Sequence, residues 1–483
     1  MDEPLDRSAF ASGFLWTLLS TVVSRALLPV FGILIARVLG PETFGLYSVL
    51  LTLIAVFDVF RDAGLALTFV ADEKLDDARR GAYATVAILT GGAMAGAMAL
   101  AEPWLRVWFK FQSEPWAIPV AAAVLLANAF TSVPTAALLK AGRFRETSLT
   151  EIVPSAISYV VAFALVGAGW GFEALLVQLA LRTVLFVAMT NRYAPMPKPA
   201  WDLPLVGDVF RKSNALLFSN ILWTLYNLAD QILIGRFLTQ AAAGFNGVAR
   251  NLALRPVEFV TIPLNRTMYV AVSGEPGDRA RAAKYLWSSV SVAVLFALPL
   301  YAGMALFAEP IILFLYGGAF AGAIPALQIV CGFYATRAVG MLAASALTAI
   351  GRASLTVYGW VAAYGVAGVG LYANWSSLDL LTVVRWLAWG GLAIYGPMVV
   401  AALFLIPPGS SERGKLAGAV CATVASGAVM GACSLLPIPL GGALGVAAVA
   451  GPAIHLAVAG LLRQRHPFAY FSKDGVRRLW RDL

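Results

Sequence analysis

A chain of 483 residues that is 60% hydrophobic and only 13% charged is not an ordinary soluble globule, which carries about 45–50% apolar and about 25% charged residues. Its net charge of +9 would suggest nucleic acid in a soluble domain, but here the basic residues flank apolar runs of roughly 20 residues, enough to cross about 30 Å of hydrocarbon. Continuous apolar runs select helices over a closed barrel, so an all-α integral membrane protein with no nucleic-acid partner is expected.

Fourteen transmembrane helices are expected, at about 11–37, 44–69, 82–101, 116–139, 148–169, 172–192, 212–238, 244–271, 284–308, 324–348, 353–373, 380–406, 415–437 and 440–462. The first is too long for a removable signal peptide and lacks a small-residue cleavage site, so it is read as a retained helix. With the N-terminus inside, most of the 35 Lys and Arg residues fall in inner segments, whereas Arg37, Arg106, Lys110 and Arg236 lie at the outer side. The positive-inside rule then places both termini in the cytoplasm. The longest connection, Tyr193 to Lys212 (YAPMPKPAWDLPLVGDVFRK), is Pro-rich and reads as a linker between two lobes. No connection is long enough to form a soluble catalytic domain. The expected division is an N-terminal lobe over 1–192, a cytoplasmic linker over 193–211, a C-terminal lobe over 212–406, and 407–483 with two accessory helices and a basic tail.

The two lobes share text. Ile33 to Tyr47 reads ILIARVLGPETFGLY, and 199 residues later Ile232 to Asn246 reads ILIGRFLTQAAAGFN, with Arg37/Arg236 and Gly45/Gly244 among the identical pairs. Ala117-Ile118-Pro119 recurs as Ala323-Ile324-Pro325, and ALLKAGR ending at Arg143 resembles ALTAIGR ending at Arg352. Matches in the same order imply two six-helix lobes, and an even helix count per repeat makes the repeat parallel.

Eight arginines, Arg25, Arg61, Arg182, Arg250, Arg255, Arg266, Arg337 and Arg385, fall at membrane depth. Each would cost about 2.5–3.5 kcal/mol or more facing lipid, so they must face protein, water or one another. Helix 2 carries Asp58, Arg61 and Asp62 on one face, while helix 8 carries Arg250, Arg255, Glu258 and Arg266, and Asp230 lies in helix 7. Arg61 with Asp58, and Arg255 with Glu258, are either ion pairs that fix helix packing or parts of a site. The excess of cations suits an anionic cargo, and arginine binds phosphate through a planar fork of donors.

Weaker signals need no function. The GxxxG pairs Gly92/Gly96, Gly427/Gly431 and Gly441/Gly445 are explained by close helix packing. GVAGVG at Gly365 to Gly370 lies inside an apolar helix and is rejected as a dinucleotide loop. Cys331, Cys421 and Cys433 have no metal-ligand spacing, and His455 reads as a packed residue. Prolines at Pro29, Pro154, Pro256, Pro263, Pro299 and Pro397 are expected to kink helices. No catalytic motif, metal site or cofactor is expected, and the chain is not read as an enzyme.

LIARVLGPETFGLYSVL, LADQILIGRFL and EPIILFLYGGAFAGAIPALQI resemble the polysaccharide transporter, or Wzx-type oligosaccharide flippase, family of the MOP superfamily over roughly residues 10 to 400. The resemblance implies two six-helix lobes that alternate between inward and outward openings in the bacterial inner membrane. It implies movement of a polyprenyl-pyrophosphate-linked oligosaccharide to the periplasmic leaflet for surface polysaccharide synthesis, driven by a cation gradient. On that reading Arg61, Arg250, Arg255 and Arg266 hold the pyrophosphate, with Arg25 assisting, and Asp58, Asp62, Asp230 or Glu258 couple a cation. The expected partners are the lipid-linked cargo, membrane lipids, and the polymerase and chain-length machinery of the same pathway. A lipid II flippase or a multidrug exporter of the same superfamily is the alternative.

Overall fold

The computed structural model describes residues 28–434 apart from 63, 215, 216, 275 and 276. The first half of expected helix 1, with Arg25, and expected helix 14, with His455, lie outside the described residues. Every regular element among the described residues is helical, and ten stretches are long and apolar enough to cross a membrane. One of the ten, Val30–Ala71, holds expected helices 1 and 2 together. Expected helices 7 and 8 are present as well, but carry polar and charged residues that lower their hydropathy.

In chain order the first elements are α1 (Leu28–Asp62), α2 (Leu65–Ala71), α3 (Asp77–Leu100), α4 (Glu102–Trp108), α5 (Ala117–Lys140), α6 (Phe144–Gly167) and α7 (Phe172–Tyr193). They are followed by α8 (Leu203–Asn214), α9 (Leu217–Phe237), α10 (Gln240–Pro256), a π turn at Val257–Thr261, and α11 (Ile262–Ser273). The chain continues as α12 (Arg279–Leu306), α13 (Ala308–Tyr316), α14 (Ala323–Ala349), α15 (Ala353–Ala373), α16 (Leu380–Leu405) and α17 (Ser410–Ser434). The two spans within α1 meet at Gly40, whose φ of 78° and ψ of 173° break the helix. Glycine tolerates positive φ, and Pro41 restarts the helix where a missing N–H costs nothing.

The chain forms two compact units, Met1–Gly247 and Val248–Leu483. Their internal packing is the same. In the first, α3 lies on α5, α5 on α7 and α6 on α7; in the second, α12 lies on α14, α14 on α16 and α15 on α16. A further element of the repeat shows only in the structure: the short helices α4 and α13 open on Glu102-Pro103 and Glu309-Pro310, just before the matched Ala-Ile-Pro sequences. The second unit is built around Leu286, Trp287, Leu342, Leu347, Met398 and Ile406, with α17 packed on α12 through Ala419 and Ala422.

The connection expected as a plain linker contains α8, which is docked and not free. Val209 is fully buried, and with Leu205 and Val206 it packs against Leu65, Phe69 and Tyr83. Around that apolar contact Arg79 bridges two carboxylates, with Nε 2.5 Å from Asp72 and Nη2 2.9 Å from Asp208. Tyr83 donates to Asp72 at 3.1 Å, and Thr85 donates to the Ala200 carbonyl at 2.7 Å.

The close packing expected at Gly92/Gly96 is not seen. Among the described residues, a Cβ added at Gly92, Gly96 or Gly427 would meet nothing within 4 Å; Gly441/Gly445 lies outside the described residues. Close approaches occur elsewhere, at Gly91 against Ala129, Gly340 against Tyr395 and Gly370 against Trp386. Spacing alone does not say which face of a helix meets a neighbour.

Candidate functional site

In the first unit the helix-2 arm of α1 carries Asp58, Arg61 and Asp62. Arg61 Nε lies 2.6 Å from Asp58 Oδ1, and Nη1 donates to Ser132 Oγ at 2.5 Å and to the Asn128 carbonyl at 3.3 Å. The arginine is 8% exposed, its charge paired with Asp58 and its Nη1 held by α5. Gly91 contributes by letting α3 pass Ala129 closely beside the Arg61 stem. Asp62 is half-buried in the same cluster. The structure thus brings together three expected site residues in an arrangement that locks α1 to α5.

In the second unit the charges surround a broken helix. Pro256 removes one donor from the ladder, and the π turn Val257–Thr261 follows directly. Arg255 precedes Pro256, Glu258 lies within the π turn, and the two pair at 2.8 Å, with side chains 32% and 18% exposed. Tyr301 donates to the Ala253 carbonyl at 3.0 Å, satisfying an acceptor just upstream of the break. Thr261 Oγ1 and Asn265 Oδ1 are buried without a hydrogen-bond partner among the described residues. Arg250 is half-buried, and Arg266 is exposed on α11. Arg337 is buried elsewhere in the unit, its guanidinium 5.3 Å from the centroid of the Tyr334 ring, a cation–π contact that stabilises a desolvated charge.

Asp230 belongs to a third group, which joins α9 to the start of α10. Asn246 is fully buried and its Nδ2 donates to Asp230 Oδ2 at 3.0 Å and to Gln231 Oε1 at 2.8 Å. Gln231 in turn donates to the Ala243 carbonyl at 3.0 Å. Gln231 and Asn246 were not singled out from sequence; the signal was a polar pair at 230–231 in an apolar helix and an asparagine ending the repeated stretch.

That stretch forms a reciprocal contact inside the first unit. A Cβ on Gly45 would collide with the Gln240 carbonyl, and one on Gly244 would collide with the Pro41 carbonyl. Gly45 corresponds to Gly244 and Pro41 to Gln240 in the ungapped repeat, so the two copies meet through equivalent atoms. Gly235 and Gly247 extend the seam against Val49 and Ser48. A polar clasp closes its side: Lys110 Nζ donates to the Leu238 carbonyl at 2.5 Å and Gln240 Nε2 to the Lys110 carbonyl at 3.0 Å. Arg236 rests 5.2 Å from the Trp108 ring centroid.

Comparison with known proteins gives this geometry a setting. The family described as "Polysaccharide biosynthesis protein" matches residues 34–325, more than half of the chain. The succinoglycan biosynthesis transport protein ExoT of Rhizobium meliloti (strain 1021) is 25% identical over 319 residues, covering 65% of this chain and 64% of that one. The chain therefore spans somewhat under two thirds of that relative's length. The lipopolysaccharide biosynthesis protein WzxC of Escherichia coli (strain K12) is 23% identical over 359 residues, covering 72% of both. Among solved structures, the lipid II flippase MurJ in an inward closed conformation superposes with a TM-score of 0.73 at 12% identity, covering 93% of this chain and 99% of that one. At that identity the likeness shows the fold. ExoT and MurJ are named for transport and lipid flipping, and neither is named as an enzyme.

Proposed function

The chain belongs to the polysaccharide biosynthesis protein family, and from that premise we propose that it moves a polyprenyl-pyrophosphate-linked oligosaccharide from the cytoplasmic to the periplasmic leaflet by alternating access. The observation that carries the proposal is the helix break in the second unit, where Arg255 is only partly enclosed and Arg266 is exposed at membrane depth. Cations left open in a spanning helix are costly unless an anion visits them. Pyrophosphate offers the charge and the oxygen geometry that arginine forks match. Arg250, Arg255 and Arg266 are the cargo contacts in this reading, and Glu258 and Asp230 are the carboxylates placed to couple a cation.

The reciprocal glycine seam fits the closed outer end of such a cycle. Backbones that touch without side chains can separate without unthreading interlocked groups, and the Lys110 and Gln240 clasp adds two hydrogen bonds that opening must break. Positive-inside orientation puts this seam on the periplasmic side. A cationic drug as cargo would need carboxylates in place of these arginines.

The experiment is complementation of a flippase-deficient strain together with transport of a lipid-linked oligosaccharide in proteoliposomes. Arg255→Ala is expected to abolish both while protein levels in the membrane stay normal. Full complementation by Arg255→Ala would remove this residue from the cargo path, and no transport by the wild-type protein would overturn the reading.

A further inference from the structure

Arg182 lies at the centre of α7, about 16 Å from either end at 1.5 Å per residue. A side chain of that reach cannot snorkel to an interface from mid-depth. It sits in a polar ladder between α6 and α7. Tyr47 from α1 donates to Gln178 Oε1 at 2.8 Å, Gln178 Nε2 donates to Ser158 Oγ at 3.3 Å, and one turn further Arg182 Nε donates to Ser155 Oγ at 3.2 Å. Gln178 and Ser155 are 4% and 6% exposed, whereas Arg182 is exposed.

The direction of the last bond is settled by chemistry. Ser155 donates its single hydroxyl proton to the Glu151 carbonyl at 2.7 Å, so its oxygen is left to accept from Arg182. This fixes the guanidinium by Nε alone and leaves both terminal amino groups without a hydrogen-bond or ionic partner among the described residues. Arg61, the other deep arginine described in this unit, is neutralised by Asp58 and enclosed. Among the described residues Arg182 is therefore an anchored cation with no counter-charge at mid-membrane, built into a ladder whose other members are satisfied. A phospholipid headgroup does not reach that depth, so the complementary anion is one that is carried through.

We propose that Arg182, positioned by Ser155, is a pyrophosphate-binding residue of the transport path carried by the first unit. The inference rests on the flippase reading above and adds to it a contact outside the α10–α11 charges. Its test is direct binding of a sugar-free polyprenyl pyrophosphate to the full-length protein in zwitterionic nanodiscs, with the matching polyprenyl alcohol as control. Arg182→Gln is expected to weaken pyrophosphate-lipid binding about tenfold or more, the loss of a charge-assisted hydrogen bond, and to leave alcohol binding unchanged. Inorganic pyrophosphate should compete with the lipid on the wild type. Where Arg182→Gln does not give folded protein, Ser155→Ala carries the test, with about threefold weaker pyrophosphate-lipid binding expected from a loosened fork. Wild-type affinity in the variant, or equal loss for alcohol and pyrophosphate, overturns the inference alone. A wild-type protein that does not prefer pyrophosphate to alcohol overturns it together with the flippase reading.

Discussion

Asp58 with Arg61 and Arg255 with Glu258 are the same idiom in sequence, opposite charges three residues apart on the second helix of each repeat. In the first unit the pair is pressed against α5, and Arg61 also holds Ser132 and the Asn128 carbonyl. In the second unit it brackets Pro256, with Glu258 inside the π turn, and the Arg255 side chain is 32% exposed where that of Arg61 is 9%, although Asp58 at 37% is itself more open than Glu258 at 18%. Identical spacing thus serves packing where the helix is continuous and availability where it is broken.

Removing one partner separates the two most sharply. Asp58→Ala takes the paired carboxylate from buried Arg61, leaving Asp62 as the neighbouring negative charge, and is expected to cost about 2 kcal/mol, as for a lost hydrogen bond to a charged group. Glu258→Ala should cost about 1 kcal/mol or less, because Arg255 can be solvated. Unfolding of the purified protein in detergent measures both, and equal costs would erase the distinction. Replacing whole pairs sharpens it. Asp58→Leu with Arg61→Met should fold within about 1 kcal/mol of wild type, as buried pairs exchanged for apolar residues often do, and should still transport. Arg255→Met with Glu258→Leu should fold equally well and not transport.

The seam gives the next largest effect. Gly45→Ala or Gly244→Ala forces a methyl group into an opposing carbonyl and is expected to cost about 1–3 kcal/mol of the closed arrangement by overpacking. Gly92→Ala meets only open space and should be neutral or gain about 0.5–1 kcal/mol from helix propensity. Thiol labelling of a Ser48→Cys reporter should rise with the first two changes and not with the third. An unchanged labelling rate in Gly45→Ala would show that the contact is not needed for closure.

These regions also show what a linear reading can reach. Apolar run length was enough to locate the spans that lie among the described residues, whereas the break at Gly40 and Pro41 between the first two was read from the structure. The repeat was visible in the Arg37/Arg236 and Gly45/Gly244 identities, but not the reciprocal contact they make, which depends on where α9 lies against α1. Three-residue spacing announced both ion pairs. Their different burial was hidden because it is set by Asn128 and Ser132, on another helix, and by a π turn that Pro256 permits but does not dictate. The helix α8 was concealed by Pro204 and the prolines just before it and by a length of 12 residues, too short to span. Arg182 looked like one deep arginine among eight until Ser155 was seen to hold only its Nε.

The smallest expected effect extends the comparison to a pair that faces water. Burial alone would raise the Asp72 carboxyl, but the Lys74 N–H, Arg79 and Tyr83 hold it below the usual carboxylate range. Asp208 is held down chiefly by Lys212, with Arg211 and Arg79 adding to it. Both groups therefore favour the docked α8 while ionised. That contribution is complete above the ordinary carboxylate pKa of about 4 and is lost as pH falls through the lower folded values. Hydrogen exchange of the α8 amides, corrected for intrinsic rate, should show full protection at neutral pH and reduced protection near pH 3. Asp208→Asn should reproduce part of that loss at neutral pH. Because Leu205, Val206 and Val209 still bury their side chains against Leu65, Phe69 and Tyr83, the helix should loosen and not detach. Protection that did not change with pH would mean that the apolar contact alone holds the linker in place.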